Sequence, residues 1–371
     1  MISTILIFTA VLSLLVFVHE FGHFITAKKS GVRVDEFGFG FPPRVAGIKK
    51  GDTIYSINWI PLGGFVKIKG ESGEYSRDKD SFANKGAMTR GLILTAGVLM
   101  NVLLAWFLLS AGYVFGMPQV VEDVSPYARV IDPKVQIVQV LKGSPAEQAG
   151  IETGDAIVAV GGMAITSPED IKAYTGTREG QAVSVTVRRK SETLEKQVVP
   201  AVIKETGHPG LGVALVKTGL VTYPLWLAPA QGAVATWSFT REIVGAFFGL
   251  IRDLFVRQKV TVEFSGPVGI AVITSEVAKL GFRYLMQFTA LLSLNLAIIN
   301  ILPFPALDGG RVLFLVVEKI RGRAVGRRLE TVAHNIGFAL LMLLVLFVTL
   351  HDVSKFGGRL WEGLSRFFVG G

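Results

Sequence analysis

His19-Glu20-Phe21-Gly22-His23 puts two imidazoles four residues apart, with a carboxylate beside the first. On a helix this spacing sets both rings on one face, where their nitrogens can share a Zn²⁺ ion. Glu20, turned about 100° around the helix from His19, is placed to act as a general base on a water molecule. The chemistry this set suits is metal-assisted hydrolysis of an amide. A five-residue match of this kind arises readily by chance in a polar helix. Here it falls at the end of an apolar run, Ile2 to Ala27, where two histidines and a glutamate are not tolerated without a functional reason.

The composition fits that setting. The chain has 371 residues, half of them hydrophobic and only 18% charged, with a mean hydropathy of +0.49. This length allows two or three folding units, and the apolar content points to an integral membrane protein. There are no cysteines, which excludes a disulfide framework and cysteine-ligated metal. The net charge of +9 is distributed as membrane topology requires, and no basic stripe carries the interleaved aromatics of a nucleic-acid binder.

Four segments approach the roughly 20 residues that a bilayer needs: Ile2 to Ala27, Leu92 to Met117, Leu285 to Leu302 and Val332 to Leu350. The first has neither a basic leader nor a small-residue cleavage site, so it reads as a span and not a signal peptide. Trp237 to Phe255 is apolar but bracketed by Arg241-Glu242 and Arg252-Asp253, which share a face. It reads as an amphipathic helix lying in the membrane interface. Lysines and arginines crowd the segments after spans one and three, among them Lys28, Lys29, Arg33, Arg311, Arg321 and Arg328. By the positive-inside rule those segments are cytoplasmic, leaving both termini and the region between spans two and three outside. His19 then lies toward the cytoplasmic side. The expected units are residues 1–121 with two spans, 122–216 as a soluble insert, 217–282 as the interfacial segment, and 283–371 with two more spans.

In the insert, Val135 to Val140 and Gln181 to Arg188 alternate as strands do. Between them runs Gly143-Ser-Pro-Ala-Glu-Gln-Ala-Gly-Ile-Glu-Thr-Gly-Asp-Ala-Ile-Val158, which reads as a turn, a short helix and a glycine-aspartate turn into a strand. This pattern resembles a bacterial PDZ domain, with Gly210 to Val213 supplying its last strand. A small β-domain of another kind is the alternative.

Two histidines do not complete a catalytic zinc site, which usually has three protein ligands and one open position. His208 and His351 fall on the external side, and His334 opens the fourth span as a solvated polar residue would. Asp308 is the better candidate. In Asn300-Ile-Leu-Pro-Phe-Pro-Ala-Leu-Asp-Gly-Gly310, two prolines end the third span at the depth expected of His19. On composition alone, an aspartate-glycine pair after prolines is usually just a turn.

The H-E-F-G-H run in a first span, the PDZ-like insert and L-D-G at the end of a later span together resemble the bacterial site-2 proteases of the RseP type. The resemblance extends to Pro61-Leu-Gly-Gly-Phe-Val-Lys-Ile68, Ser265-Gly-Pro-Val-Gly-Ile-Ala271 and Asn295 to Gly310. It implies a multi-pass α-helical protein of the bacterial cytoplasmic membrane, with four transmembrane helices, a cytoplasmic-side re-entrant β-loop and an external α+β PDZ insert. It implies one Zn²⁺ per chain held by His19, His23 and Asp308, with Glu20 as general base. Asn300 and Asn295 would contact the substrate or the developing oxyanion. Tandem PDZ domains are usual in the best-known members, whereas this chain has one recognisable copy.

The re-entrant loop would be built from Val34 to Pro43 and Tyr55 to Lys69, both glycine-rich and partly alternating. Gly38, Gly40, Gly64 and Phe65 are its candidates for pairing with an extended substrate by strand addition. A solvated hairpin is the alternative. The implied substrates are single-span membrane proteins already trimmed outside by another protease, such as anti-sigma factors, or remnant signal peptides. Two other readings compete: a catalytically silent membrane scaffold, and a zinc transporter. The scaffold predicts a lost Glu20 or ligand, and the transporter predicts ionisable residues along several spans. The second span has none from Leu92 to Met117.

Overall fold

The structure, a computed structural model, describes residues 2–121, 124–189, 192–203, 207–256, 266–323 and 325–369. In chain order its elements are α1 (Ile2–Lys29), β1 (Val34–Lys50), β2 (Thr53–Ile68), α2 (Ala87–Phe115), β3 (Met117–Val120), β4 (Arg129–Val140), α3 (Pro145–Gln148), β5 (Ala156–Val160), β6 (Met163–Ala164), α4 (Pro168–Gly176), β7 (Val183–Arg189), β8 (Glu192–Val198), β9 (Ala201–Val202), β10 (Pro209–Gly210), β11 (Val213–Thr222), α5 (Ala228–Val256), α6 (Pro267–Leu280), α7 (Phe282–Ile301), α8 (Asp308–Arg321) and α9 (Arg327–Val369). They form two compact units, one of residues 1–110 and 229–371 and the other of Ala111–Ala228.

Among the described residues of the first unit, four helical stretches are long and apolar enough to cross a membrane: Thr4–Lys29, Ala87–Phe115, Phe282–Ile301 and Arg328–Lys355. Their outward apolar side chains, such as Leu343, Phe347 and Leu350 of α9, are exposed, as lipid-facing positions must be. Small residues bring α1 and α2 close. A Cβ on Gly22 would strike the Ala96 carbonyl, so this position requires glycine for the two backbones to meet. Between α1 and α2 the chain makes a long β-hairpin. Glu36 to Phe39 has strand partners on both sides, Gly64 to Lys67 on one and Ile54 to Ile57 on the other, so the hairpin folds back on itself. It is fastened to α1, because Ser13 Oγ donates to the Pro61 carbonyl at 2.6 Å and accepts from the Gly63 N–H at 3.2 Å. Its base packs with Ala27, Val32, Val34, Ile68, Phe82 and Ile93 in one apolar cluster.

α5 runs 29 residues from Ala228 to Val256, so it starts well before the expected Trp237 and ends next to the expected Phe255. It still carries Arg241, Glu242, Arg252 and Asp253, and is not among the helices apolar enough to cross. Two shorter helices were not anticipated from the sequence. α6 follows Gly266 with Pro267 at its first position, where a missing N–H costs nothing. α8 begins at Asp308 itself. Ser265, in the segment that carried part of the family resemblance, lies outside the described residues.

The second unit is a mainly antiparallel sheet in the order β3-β11-β4-β5-β7-β8, with β6 paired to β5. Val135, Ile137, Ile157, Val185, Val187 and Ile171 meet in its core. The Gly143–Val158 run folds for local reasons. Ser144 caps α3 by accepting from the Glu147 N–H at 3.3 Å, Pro145 occupies the first turn, and Glu147 returns to accept from the Gly143 N–H at 2.6 Å. Gly154 turns the chain at φ +97° into β5. The buried Asp155 then receives Arg189 through two hydrogen bonds of 2.8 Å.

Candidate metal centre

The geometry of α1 and α8 brings three residues together. His19 Nε2 stands 3.0 Å from Asp308 Oδ2 and 3.2 Å from His23 Nε2, and His23 Nε2 is 3.4 Å from Asp308 Oδ2. Three ligand atoms at about 2.0–2.1 Å from a tetrahedral zinc ion stand about 3.3 Å from one another. The triangle therefore has the size of one zinc coordination face. Both histidines are buried, and the Asp308 side chain is 21% exposed, leaving one side for a fourth ligand.

The outer nitrogens decide whether the rings fit a metal. His23 Nδ1 lies 2.8 Å from the Ile93 carbonyl, which can only accept, so Nδ1 carries the proton and Nε2 presents its lone pair inward. His19 Nδ1 lies 3.3 Å from the Asn101 amide. Asn101 is fully buried, and its Oδ1 has no hydrogen-bond partner while Nδ2 faces the ring. Exchanging the amide's O and N pairs the oxygen with the ring: Oδ1 accepts from Nδ1–H, and His19 Nε2 also becomes a lone-pair donor. The residues present thus fit a zinc ion.

Gly97, one turn before Asn101 on α2, makes room for this arrangement. A Cβ there would overlap His23 Nε2 and lie 2.7 Å from both Cε1 and Nε2 of His19. Ser293 of α7 donates to the Asn101 carbonyl at 2.8 Å and ties α7 to this wall. Sequence reasoning missed Gly97, Asn101 and Ile93. The available signal was a glycine and an asparagine four residues apart in an otherwise apolar span.

Glu20 is half-buried on α1, within electrostatic reach of His19, His23 and Asp308. Asn295 and Asn300 are half-buried on α7. Asn295 donates to the Leu291 carbonyl of its own helix at 2.9 Å, and among the described residues neither asparagine hydrogen-bonds to the three ligand candidates. In the hairpin, Gly38 is packed beneath the Phe65 ring and Gly64 against the Gly38 carbonyl, while Gly40 turns the chain at φ +76°. These glycines are sites of close approach within the sheet itself.

α8 is held in place from two sides. Arg90 of α2 makes a bidentate pair with Glu318, at 2.7 and 3.3 Å, and Arg311 pairs with Glu71 after the hairpin. Gly309 and Gly310 lie directly under the Ile301 and Phe304 carbonyls, so the helix starts tight against the end of α7.

The profile of Peptidase family M50 matches residues 7–344. The chain belongs to this family. The zinc metalloprotease RasP of Geobacillus kaustophilus is 32% identical over 96% of this chain and 99% of its own length. The regulator of sigma-W protease RasP of Bacillus subtilis is 29% identical, over 95% and 99% respectively. Among solved structures, the PDZ domain of an SdrC-like protein from Listeria innocua is similar over 22% of this chain and 92% of its own, at 22% identity and a TM-score of 0.21. The protein is a site-2-type zinc metalloprotease that acts within the membrane and uses Zn²⁺.

Proposed function

We propose that His19, His23 and Asp308 hold the zinc ion and that Glu20 is the general base for cleavage of membrane-spanning segments. The observation that carries this is the triangle of two imidazole nitrogens and one carboxylate oxygen on a membrane-length helix. When bound, zinc acts as a Lewis acid on the scissile carbonyl and lowers the pKa of a bound water toward neutrality. Glu20 would accept a proton from the attacking water at its carboxylate and pass it to the leaving amine. Asn300, in the last turn of α7, donates to the developing oxyanion, and Asn295 supports the substrate backbone.

A substrate helix hides its amides in its own hydrogen bonds, so it must unwind before attack. The hairpin strand docked on α1 through Ser13 supports a route. Ser13 precedes His19 by six residues, about 9 Å along the helix. Gly64 and Phe65 follow in that strand and would pair with the extended substrate, with Gly38 and Gly40 shaping the sheet. An apolar cavity of about 550 Å³ between α2, α5 and α7, lined by Val98, Val102, Phe247 and Ile298, offers a lodging for an apolar segment.

The soluble insert is proposed as a PDZ-type domain on the outer side, with the active site toward the cytoplasm of a bacterial cell. Among the described residues no strand pairs the outer edge of β11 from Val213 to Val216, because β3 covers only its later part. That edge opens into a cleft of about 710 Å³ beside Ile171, Lys172 and Thr175 of α4, which suits an extended chain segment. Substrates would be single-span proteins, pre-trimmed outside by another protease.

The test is cleavage of a single-span substrate in detergent by the wild type and Glu20→Gln, with zinc content measured on both. Cleavage by the wild type alone, with equal zinc, supports the assignment. Equal cleavage by both rules out Glu20 as the base.

A further inference from the structure

The loop that delivers Asp308 has a feature that its own sequence does not explain. Between Pro305 and Leu307, Ala306 adopts φ +82°, a region that residues with a side chain avoid. Nothing in an alanine favours that conformation, so its surroundings must impose it. The Ala306 N–H donates to His334 Nδ1 at 3.2 Å, a contact from α9. One turn further along the same face, Gly337 lies so close to the Pro305 carbonyl that any Cβ would overlap it. Two neighbouring residues of the loop are thus gripped by two positions of one helix, and Asp308 follows two residues later. The histidine that the sequence suggested was merely solvated is half-buried against this loop.

Because the Ala306 N–H donates, His334 Nδ1 holds a lone pair and the ring's proton sits on Nε2. The side chain is not one of the three candidate ligands, and its hydrogen bond is to the loop backbone. Its contact is with backbone, so it fixes geometry and not identity at position 306.

We propose that α9 clamps the Asp308 loop, with His334 as a positioning residue that sets the Asp308 carboxylate against the two histidines. This rests on the assignment of His19, His23 and Asp308 as the zinc ligands. The clamp explains why a non-glycine residue can sit at positive φ there: the bond to His334 and the glycine contact over-determine the turn. It also gives α9, which carries none of the ligands, a part in metal binding.

The experiment compares zinc affinity, by competition with a graded chelator, and thermal unfolding for full-length variants in detergent. An asparagine Oδ1 occupies nearly the place of a histidine Nδ1, whereas a glutamine amide reaches to the Nε2 position. His334→Asn is therefore expected to stay within about threefold of wild type. His334→Gln and His334→Leu should lose roughly 10–100-fold in zinc affinity, the range for residues that orient metal ligands. Ala306→Gly accepts positive φ without strain and should restore part of the His334→Leu loss. Asp352→Ala is the control. Asp352 also anchors α9, by accepting from the Gly269 N–H at 2.7 Å, so its loss should lower the melting temperature without changing zinc affinity. Equal affinities for the Asn, Gln and Leu variants would overturn the clamp, as would a zinc loss in Asp352→Ala matching that in His334→Leu. Asp308→Ala is measured alongside. If it retains zinc, the ligand assignment fails; if it loses zinc while the His334 series stays level, only the clamp fails.

Discussion

Replacing Gly97 by alanine adds one methyl group at the point where the zinc face is narrowest. The new Cβ would lie 2.7 Å from His19 Cε1 and Nε2, against an ordinary contact of 3.4 Å or more, so His19 must retreat by about 0.7 Å, and His23 by more. Zinc–ligand distances tolerate only about 0.2 Å. The retreat therefore exceeds the tolerance about threefold at one ligand and further at the other. Neither ring can swing freely, because Ile93 and Asn101 hold their outer nitrogens. Loss of at least one coordination bond follows, and zinc affinity should fall by roughly 10–100-fold, the range seen when the groups that orient metal ligands are lost. The assay is zinc retention against chelators of graded strength, on protein purified in detergent, with circular dichroism to verify the helices. Gly91→Ala is the control, because a Cβ there meets nothing within 4 Å on the same helix. If Gly97→Ala binds zinc as tightly as Gly91→Ala, the ligands do not converge at this wall and the reasoning is refuted.

Three more outcomes follow from the same contacts. Asn101→Leu should lower zinc affinity roughly 10–100-fold with little change in helix content, because His19 loses the partner that fixes its tautomer; chelator competition measures it. Arg90→Met and Glu318→Gln should each destabilise the protein, and the double variant less than their sum, with a coupling of about 1–3 kcal/mol in a double-mutant cycle. In the insert, burial pushes the Asp155 carboxyl up, but hydrogen bonds from Arg189 and the Glu152 N–H outweigh it and hold it below the usual range. Hydrogen bonds from the Thr166 and Ser167 N–H groups likewise bring Asp170 down to about 2. Both shifts are downward, so the stability they add is complete above the unfolded carboxyl pKa of about 3.9 and is lost as pH falls through the folded values. Melting of the insert should weaken below about pH 4, and Asp155→Asn should flatten that slope; an unchanged slope would contradict it.

How much of this was legible depended on whether a signal was local. The His19–His23 spacing is a property of one helix turn, and so is the capped run from Gly143 to Asp155; both could be read without neighbours. The long apolar helices were legible because burying twenty residues in lipid leaves a compositional trace. Asp308 was nameable but not placeable, since it lies 289 positions from His19 in the chain. α8 was hidden by its own start, because two glycines in the first turn argue against a helix on propensity. In the fold those glycines allow the Ile301 and Phe304 carbonyls to lie against the helix, which no local rule conveys.

What the sequence conceals most completely is the outer layer of the site. Asn101, the Ile93 carbonyl, Gly97 and His334 lie against the proposed zinc ligands or the Asp308 loop, yet none belongs to a metal-binding motif. A backbone carbonyl has no residue type at all, so Ile93 could not have been found by composition. A glycine is conspicuous only once the group that would collide with it is known. The same reasoning explains why α2 and α9, with no ligand between them, are expected to be as sensitive to substitution as α1. In the proposed site α1 supplies the histidines, α2 would fix their tautomers and leave room for them, and α9 would hold the turn before Asp308. A site built this way should fail by loss of zinc before loss of fold, because each of these contacts sets an angle or a distance at the metal and contributes little to packing.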